Sequence, residues 1–244
     1  MAISARLDFK RKPGVVLIVD KMMPVDELKE FSKRGADLLE LRVDLFSEPI
    51  EKILTYLECI KNSVDIPVLG TVRENERTRL HRVELFKAIA PYIDCVDVEL
   101  GATDSDQIVS AASGKTIMIS EHDFEKTPDQ NGLEDIVKRS IDQGADIVKI
   151  AVMANNQKDV TRLMRFTEDS SKLLVTISMG AMGSISRIAA PIFGSLFTYG
   201  FLGEPVAPGQ LPVMKLIGEL NAYFPFSRGC DQKNDGLGED SPVD

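Results

Sequence analysis

Two ionisable residues in this chain stand where solubility does not explain them. Lys149 lies inside IVKIAV (147–152), between Val148 and Ile150. Taking an ammonium out of water is expensive, so lysine is rare in such a run. Pointing inward, it would favour the neutral amine, the nucleophile that forms imines with carbonyl carbons. The bland alternative is a side chain that snorkels outward or pairs with a carboxylate such as Glu99. His122 follows an apolar run in Ser120-Glu121-His122-Asp123-Phe124. Imidazole titrates near neutral pH, which suits a general acid/base, although a satisfied structural histidine is the other option. The second histidine, His81, sits in the charged stretch TRLHRVELF and is expected at the solvated surface.

Other polar residues interrupt apolar runs at a spacing of two, the period that puts side chains on one face of a strand. Glu40, Arg42 and Asp44 alternate in ELRVD, and Asp97 and Glu99 alternate in VDVE. The first set must be paired or used, because buried charge is costly. The second offers acid/base groups, metal ligands or a structural ion pair with an arginine. Arg73 ends the run Thr71-Val72-Arg73. Arg187 closes SMGAMGSISR (178–187), early in an expected helix, where a cation opposes the helix dipole. Capture of a carboxylate would explain that arginine. Val206-Ala207-Pro208-Gly209-Gln210 is a loop from which Gln210 can reach back toward a site.

Positioning these groups requires a repeating frame. Apolar runs recur at 15–20, 37–46, 66–73, 93–100, 115–120, 145–152, 172–178 and 195–200. Near-continuous apolar strands indicate a parallel sheet covered on both faces. Stretches of helical periodicity lie between and after them, at 24–35, 50–62, 78–91, 104–113, 131–143, 156–170, about 184–192 and 210–222. Gly35 and Gly144 stand where two of these helices should stop. Eight βα units predict a single α/β domain, a (β/α)8 TIM barrel, with catalytic groups at the C-terminal strand ends. An open doubly wound sheet is the runner-up, but no GxGxxG follows the first strand. The barrel is assigned to residues 1–226. The polar, Gly-rich segment 227–244 is expected to be a disordered tail.

The bulk composition excludes several roles. The chain has 244 residues, 43% hydrophobic, with a formal net charge of -9. That balance opposes nucleic-acid binding, which needs an excess of basic groups. It still allows a small anionic substrate held by local arginines. Three widely spaced cysteines, Cys59, Cys95 and Cys230, offer neither a disulfide framework nor a zinc site. No run is long enough to span a bilayer, and the first residues have no apolar signal core. A cytoplasmic protein with no membrane partner is the expectation.

With ELRVD (40–44), TVR (71–73), SEHDFEKTP (120–128), DIVKIA (146–151), SMGAMGSISR (178–187) and APGQ (207–210) in this order, the sequence resembles the type I 3-dehydroquinate dehydratases. The likeness runs from the first strand to the last helix. It implies a lyase of the shikimate pathway that needs no metal or organic cofactor and is commonly a homodimer. Lys149 would form an imine with the C3 ketone of 3-dehydroquinate. His122 would take the C2 proton and return it to the departing C1 hydroxyl, a syn loss of water. Arg187 would bind the substrate carboxylate. Glu40, Arg42, Arg73 and Gln210 would hold hydroxyls or shape the pocket, which Met179 and Tyr199 would line. Two positions depart from the pattern. Arg77 stands where relatives of the enterobacterial type carry a glutamate that orients the histidine, leaving Glu74 or Glu76 as substitutes. Val206 replaces the serine that precedes APGQ. Another imine-forming barrel, such as a class I aldolase, and a non-catalytic binding barrel are the competing readings.

Overall fold

Short β-branched runs and amphipathic helices alternate along the chain, and the computed structural model shows what that alternation builds. It describes residues 14–205 and 207–224. The expected tail, the domain limit at 226, Val206 and Cys230 lie outside the described residues. Strands β1 (Gly14–Val19), β2 (Leu38–Arg42), β3 (Val68–Thr71), β4 (Cys95–Glu99), β5 (Thr116–Asp123), β6 (Ile147–Met153), β7 (Leu174–Met179) and β8 (Phe197–Phe201) are parallel to their paired neighbours. Helices α1 (Val25–Lys33), α2 (Ile50–Ser63), α3 (Arg82–Ile89), α4 (Ser105–Ala111), α5 (Gln130–Asp142) and α6 (Gln157–Asp169) connect the first seven strands. Two single turns, α7 (Gly180–Gly183) and α8 (Ser186–Ala189), precede β8. A short strand β9 (Leu211–Pro212) pairs with β8 and leads into α9 (Val213–Tyr223).

The sheet runs β7-β6-β5-β4-β3-β2-β1-β8-β9, so β8 lies beside β1 and curls the sheet into the expected barrel. At the seam between β7 and β8, the Leu196 N–H donates to the Leu174 carbonyl at 2.9 Å. Alternation along each strand sorts the side chains into layers. Leu39, Leu41, Val96, Val98, Ile117 and Ile119 face the outer helices. Val148, Ile150 and Val152 meet the α5 and α6 residues Leu133, Ile136 and Leu163. Val16, Leu69, Cys95, Met118, Ile147, Val175 and Phe197 fill the barrel interior. Burying each such side chain contributes about 1.5–3 kcal/mol.

Local sequence fixes the helix ends. The Asp129 side chain accepts from the Gly132 N–H at the start of α5, and Asn156 accepts from Lys158 and Asp159 at the start of α6. Gly35 and Gly144, just past α1 and α5, take φ of 114° and 98°, a region that favours glycine.

Three expected elements change shape. The strand expected at 37–46 ends at Arg42, and Val43–Leu45 form a 3-10 turn. Asp44 therefore leaves the strand face it was expected to share with Glu40 and Arg42. It turns back to accept from Arg42 Nε at 3.0 Å and Nη2 at 2.7 Å, so ion pairing outweighs strand continuation. The helix expected at 78–91 begins only at Arg82, because the Asn75 side chain accepts from Arg77 and Thr78 and holds a turn ahead of it. The helix expected near 184–192 is broken into α7, α8 and a 3-10 turn at Ala190–Phe193 that carries Pro191. Arg187 therefore opposes no sizeable helix dipole, since α8 spans only four residues.

Candidate active site

The barrel interior is apolar at its base and becomes charged toward the C-terminal strand ends. Strand register places the change. Glu40 on β2 sits beside Leu69, Thr71 on β3 beside Asp97, and Ser120 on β5 beside both Glu99 and Lys149. Glu40 lies on the inner face with Leu38, as Asp97 does with Cys95 and Lys149 with Ile147 and Ala151, two residues apart in each case. His122 lies one step further toward the mouth, opposite Ala151.

Lys149 is 5% exposed, so its inward placement is settled. Its Nζ donates to Asp97 Oδ2 at 3.0 Å, lies 4.0 Å from Glu40 Oε1 and stands 4.3 Å over the Tyr199 ring. Glu99, the partner expected for a paired lysine, is instead bonded to Arg82 and stands 3.6 Å from Arg73. Along the register Glu99 pairs with Ser120 and Ser120 with Lys149, so Asp97 lies one inward step deeper on β4. Glu99 is already engaged by Arg82 and Arg73, and Asp97 is the carboxylate that Lys149 Nζ reaches.

Asp97 is fully buried and is approached by two cations, Lys149 and Arg73. Arg73 Nη2 lies 2.9 Å from Oδ2, and the Ser120 hydroxyl donates to Oδ1 at 2.6 Å. Burial alone would raise its pKa. The Arg73 and Lys149 charges, with the Ser120 hydrogen bond, overcome that and hold the carboxyl well below the usual range. Arg73 in turn is held above its ordinary value by Asp97, Glu99 and Glu40, against its own burial. Glu40 accepts from the Thr71 hydroxyl at 2.8 Å.

His122 is in a different state. Burial, reinforced by the Arg73 and Lys149 charges, pushes its imidazole down to about 3, although Asp97 pulls the other way. It is neutral near pH 7 and can accept a proton. Among the described residues its ring makes no hydrogen bond. It stacks against Phe124 with centroids 6.2 Å apart and an interplanar angle of 16°. Glu74 and Glu76 are both exposed, and of the two Glu74 lines the cavity. Arg77 donates to the Asp44 and Phe46 carbonyls at 3.0 and 2.7 Å, locking the turn after β2.

Arg187 is 2% exposed. Its Nη2 donates to the Pro208 carbonyl at 3.3 Å, and its Nε has no partner among the described residues. Desolvation lowers its pKa to about 10, the mark of a buried cation lacking a carboxylate. The Tyr199 hydroxyl beside it also has no partner among the described residues, and burial pushes that phenol up.

One cavity of about 400 Å³ is lined by all nine residues to which the family resemblance gives a site role: Glu40, Arg42, Arg73, His122, Lys149, Met179, Arg187, Tyr199 and Gln210. Sequence reasoning passed over Phe124, and it named Asp97 and Glu74 only as one of two options each. The alternation in VDVE marked Asp97 but could not distinguish it from Glu99. The glycines at 180 and 209 serve a close approach: a Cβ at Gly209 would lie 2.5 Å from the Gly180 carbonyl oxygen. That contact seats the 207–210 loop over the cavity, with Gln210 Oε1 accepting from the Ala207 N–H. Among the described residues, no group of three or more His, Cys, Asp or Glu side chains is arranged to hold a metal ion.

A buried amine beside a neutral imidazole, at the mouth of a parallel barrel, defines the class: an enzyme of the (β/α)8 type that processes a carbonyl compound. Comparison with known proteins narrows it. The model of the type I 3-dehydroquinase family matches residues 15–225, and the chain belongs to that family. The 3-dehydroquinate dehydratase of Methanocella arvoryzae is 38% identical over 208 residues, 82% of this chain and 93% of the relative. The crystal structure of 3-dehydroquinate dehydratase from Aquifex aeolicus superposes with a TM-score of 0.75 at 30% identity, covering 86% of this chain and 99% of that one. The type I enzyme from Clostridium difficile, solved with covalently modified comenic acid, gives 0.74 at 32% identity over 87% of this chain and 92% of its own.

Proposed function

We propose that this chain dehydrates 3-dehydroquinate to 3-dehydroshikimate through an imine on Lys149, a step of the shikimate pathway. The observation that carries the reading is the Lys149 amine, buried in the barrel with His122 on the adjacent strand and the same inner face.

Chemistry follows from the geometry. Lys149 Nζ attacks the C3 carbonyl, and loss of water leaves a protonated iminium. The iminium withdraws electrons from the C2–H bond. His122, neutral at working pH, removes that proton and the electron pair moves into an enamine. The enamine expels the C1 hydroxyl, which leaves as water with the proton carried by His122. Water then hydrolyses the product iminium and restores the amine. One water is lost in forming the imine and one is consumed in breaking it, so the net change is a single dehydration.

The buried Arg187 guanidinium, whose Nε has no partner among the described residues, is suited to the substrate carboxylate. Glu40, Arg42, Arg73 and Gln210 meet the ring hydroxyls or shape the pocket around them, while Met179 and Tyr199 supply apolar walls. The same reading takes the enzyme to be a cytoplasmic homodimer, which light scattering coupled to gel filtration tests. Among the described residues no helix is long and apolar enough to cross a membrane.

The decisive experiment is reductive trapping. Incubation with 3-dehydroquinate and borohydride, followed by intact mass and peptide mapping, is expected to find the reduced adduct on Lys149. Absence of adduct, together with unimpaired activity in Lys149→Met, would overturn the reading.

A further inference from the structure

Asp97 is the most heavily engaged carboxylate of the interior, and neither substrate holding nor proton transfer uses it. Its Oδ2 lies 3.0 Å from the nitrogen that becomes the iminium. We propose that Asp97 is the counter-ion of the iminium formed on Lys149, keeping that nitrogen protonated through the dehydration. The inference rests on the imine reading above.

The number of hydrogens on the nitrogen falls as the imine forms. An ammonium has three N–H bonds, whereas a protonated iminium has one. Asp97 Oδ2 already accepts from Lys149 at 3.0 Å, so the remaining N–H has an acceptor in place. A neutral imine is a poor electron sink, and an apolar interior favours the neutral form unless an anion is near. Asp97 supplies that anion and is held rigidly. The Ser120 hydroxyl donates to its Oδ1 at 2.6 Å and itself accepts from Arg73 Nη1 at 2.9 Å.

Arg73 shares Oδ2 at 2.9 Å, and this tempers the arrangement. An unshared carboxylate would hold the iminium so well that collapse to the neutral enamine would be opposed. With two cations on one carboxylate, the charge at nitrogen is stabilised yet can still be neutralised when C2 loses its proton.

Several other groups face this nitrogen or its counter-ion. Glu40, from β2, is the rival anion at 4.0 Å. Arg73 follows β3 and carries Glu99 of β4 at 3.6 Å. His122 of β5 is neutral, and both the Tyr199 phenol of β8 and the Cys95 thiol of β4 are pushed up by burial, so these three carry no charge near pH 7. Arg42, further out on β2, is committed to Asp44. The choice therefore lies between Asp97 and Glu40, and distance favours Asp97.

The test compares Asp97→Asn with Glu40→Gln in the full chain. Losing the counter-ion should lower the pH at which the iminium deprotonates by about 1–3 units. In Asp97→Asn, the alkaline limb of kcat should move down by that amount. Borohydride trapping, which reduces the protonated iminium, should fail at pH 9 but recover toward pH 6. A purely structural role would lower activity at all pH values without moving the limb. An unmoved limb in Asp97→Asn, or a limb moved only by Glu40→Gln, would overturn the proposal. A second measurement needs no variant: 15N spectra of lysine-labelled wild-type enzyme with bound 3-dehydroshikimate should show a protonated iminium up to pH 9. A neutral imine at pH 8 would overturn the proposal even if Asp97→Asn does not fold. Absence of any wild-type adduct would instead remove the imine reading itself.

Discussion

Arg187 is tied to Pro208 across the cavity: its Nη2 donates to the proline carbonyl at 3.3 Å, while its buried Nε has no partner among the described residues. One arm of the guanidinium thus fastens the loop that follows β8, and another is left for an incoming anion. A hydrogen bond from a charged donor is worth about 1.5–3 kcal/mol, so Arg187→Ala should raise KM by about 10–100-fold. Arg187→Lys should recover only part of this, because an ammonium cannot make both contacts from a single fork. Steady-state kinetics with 3-dehydroquinate check both, and an unchanged KM in Arg187→Ala would remove the carboxylate clamp.

The acid limb of activity should report how far burial depresses His122. Its imidazole is neutral down to about 3 in the folded site, against about 6.5 for an exposed histidine. The base therefore stays unprotonated as the pH falls from 6.5 toward 3, and kcat/KM for the free enzyme should show no His122 loss near 6.5. Stability runs the same way. Between these two values the unfolded chain binds the proton and the folded chain does not, so unfolding becomes easier as pH falls through that window. A kcat/KM limb centred at 6.5 that disappears in His122→Gln would contradict the depressed value. His122→Ala itself should bind substrate and lose about 10²–10⁴ of turnover.

Legibility followed the locality of each signal. The barrel was visible because every βα unit carries its own apolar run and amphipathic stretch. Lys149 and His122 were visible because each breaks such a run in place. Asp97 was visible only as one of the VDVE pair, because its weight depends on contacts with Arg73 beyond β3, Ser120 of β5 and Lys149 of β6, which one strand cannot show. The end of β2 was missed for a related reason. Arg77 reaches from beyond β3 to the Asp44 and Phe46 carbonyls and fixes a turn that VDL alone does not demand. That contact also shows why an arginine stands at position 77: it is structural, and the His122 ring rests on Phe124 instead of a glutamate.

Gly209 offers a test of the loop that carries Pro208 and Gln210. It sits at φ 74°, and a Cβ there would lie 2.5 Å from the Gly180 carbonyl oxygen. Both faults fall on backbone, so no side chain can move aside to relieve them. Gly209→Ala should cost about 1–3 kcal/mol of loop docking. The cost should appear as a raised KM, with little change in Tm, since few core residues depend on the loop. Gly203→Ala is the matched control, because nothing lies within 4 Å of where its methyl group would stand and its φ is not positive. Equal KM values for the two variants would show that the Gly180 contact does not hold the loop.

Arg82 tests whether the charged layer is also a structural element. It is 1% exposed; Nε donates to the Val72 carbonyl at 2.7 Å, Nη1 to Asp104 at 3.0 Å, and Nη2 to Glu99. Arg82→Met keeps much of the volume but leaves Asp104 without its ion pair and Glu99 with only the longer contact to Arg73 at the edge of the core. Breaking a buried pair in this way costs about 3–5 kcal/mol. For a domain of this size that corresponds to a fall in Tm of about 6–20 °C. Arg82→Lys should fall almost as far, because one ammonium cannot serve a carbonyl and two carboxylates set around a planar fork. Calorimetry of both variants decides the matter. A Tm within about 2 °C of the parent in Arg82→Met, below the shift expected for even 1 kcal/mol, would mean that Glu99 and Asp104 are solvated well enough to stand alone. Arg73 alone would then secure the charged layer above Lys149.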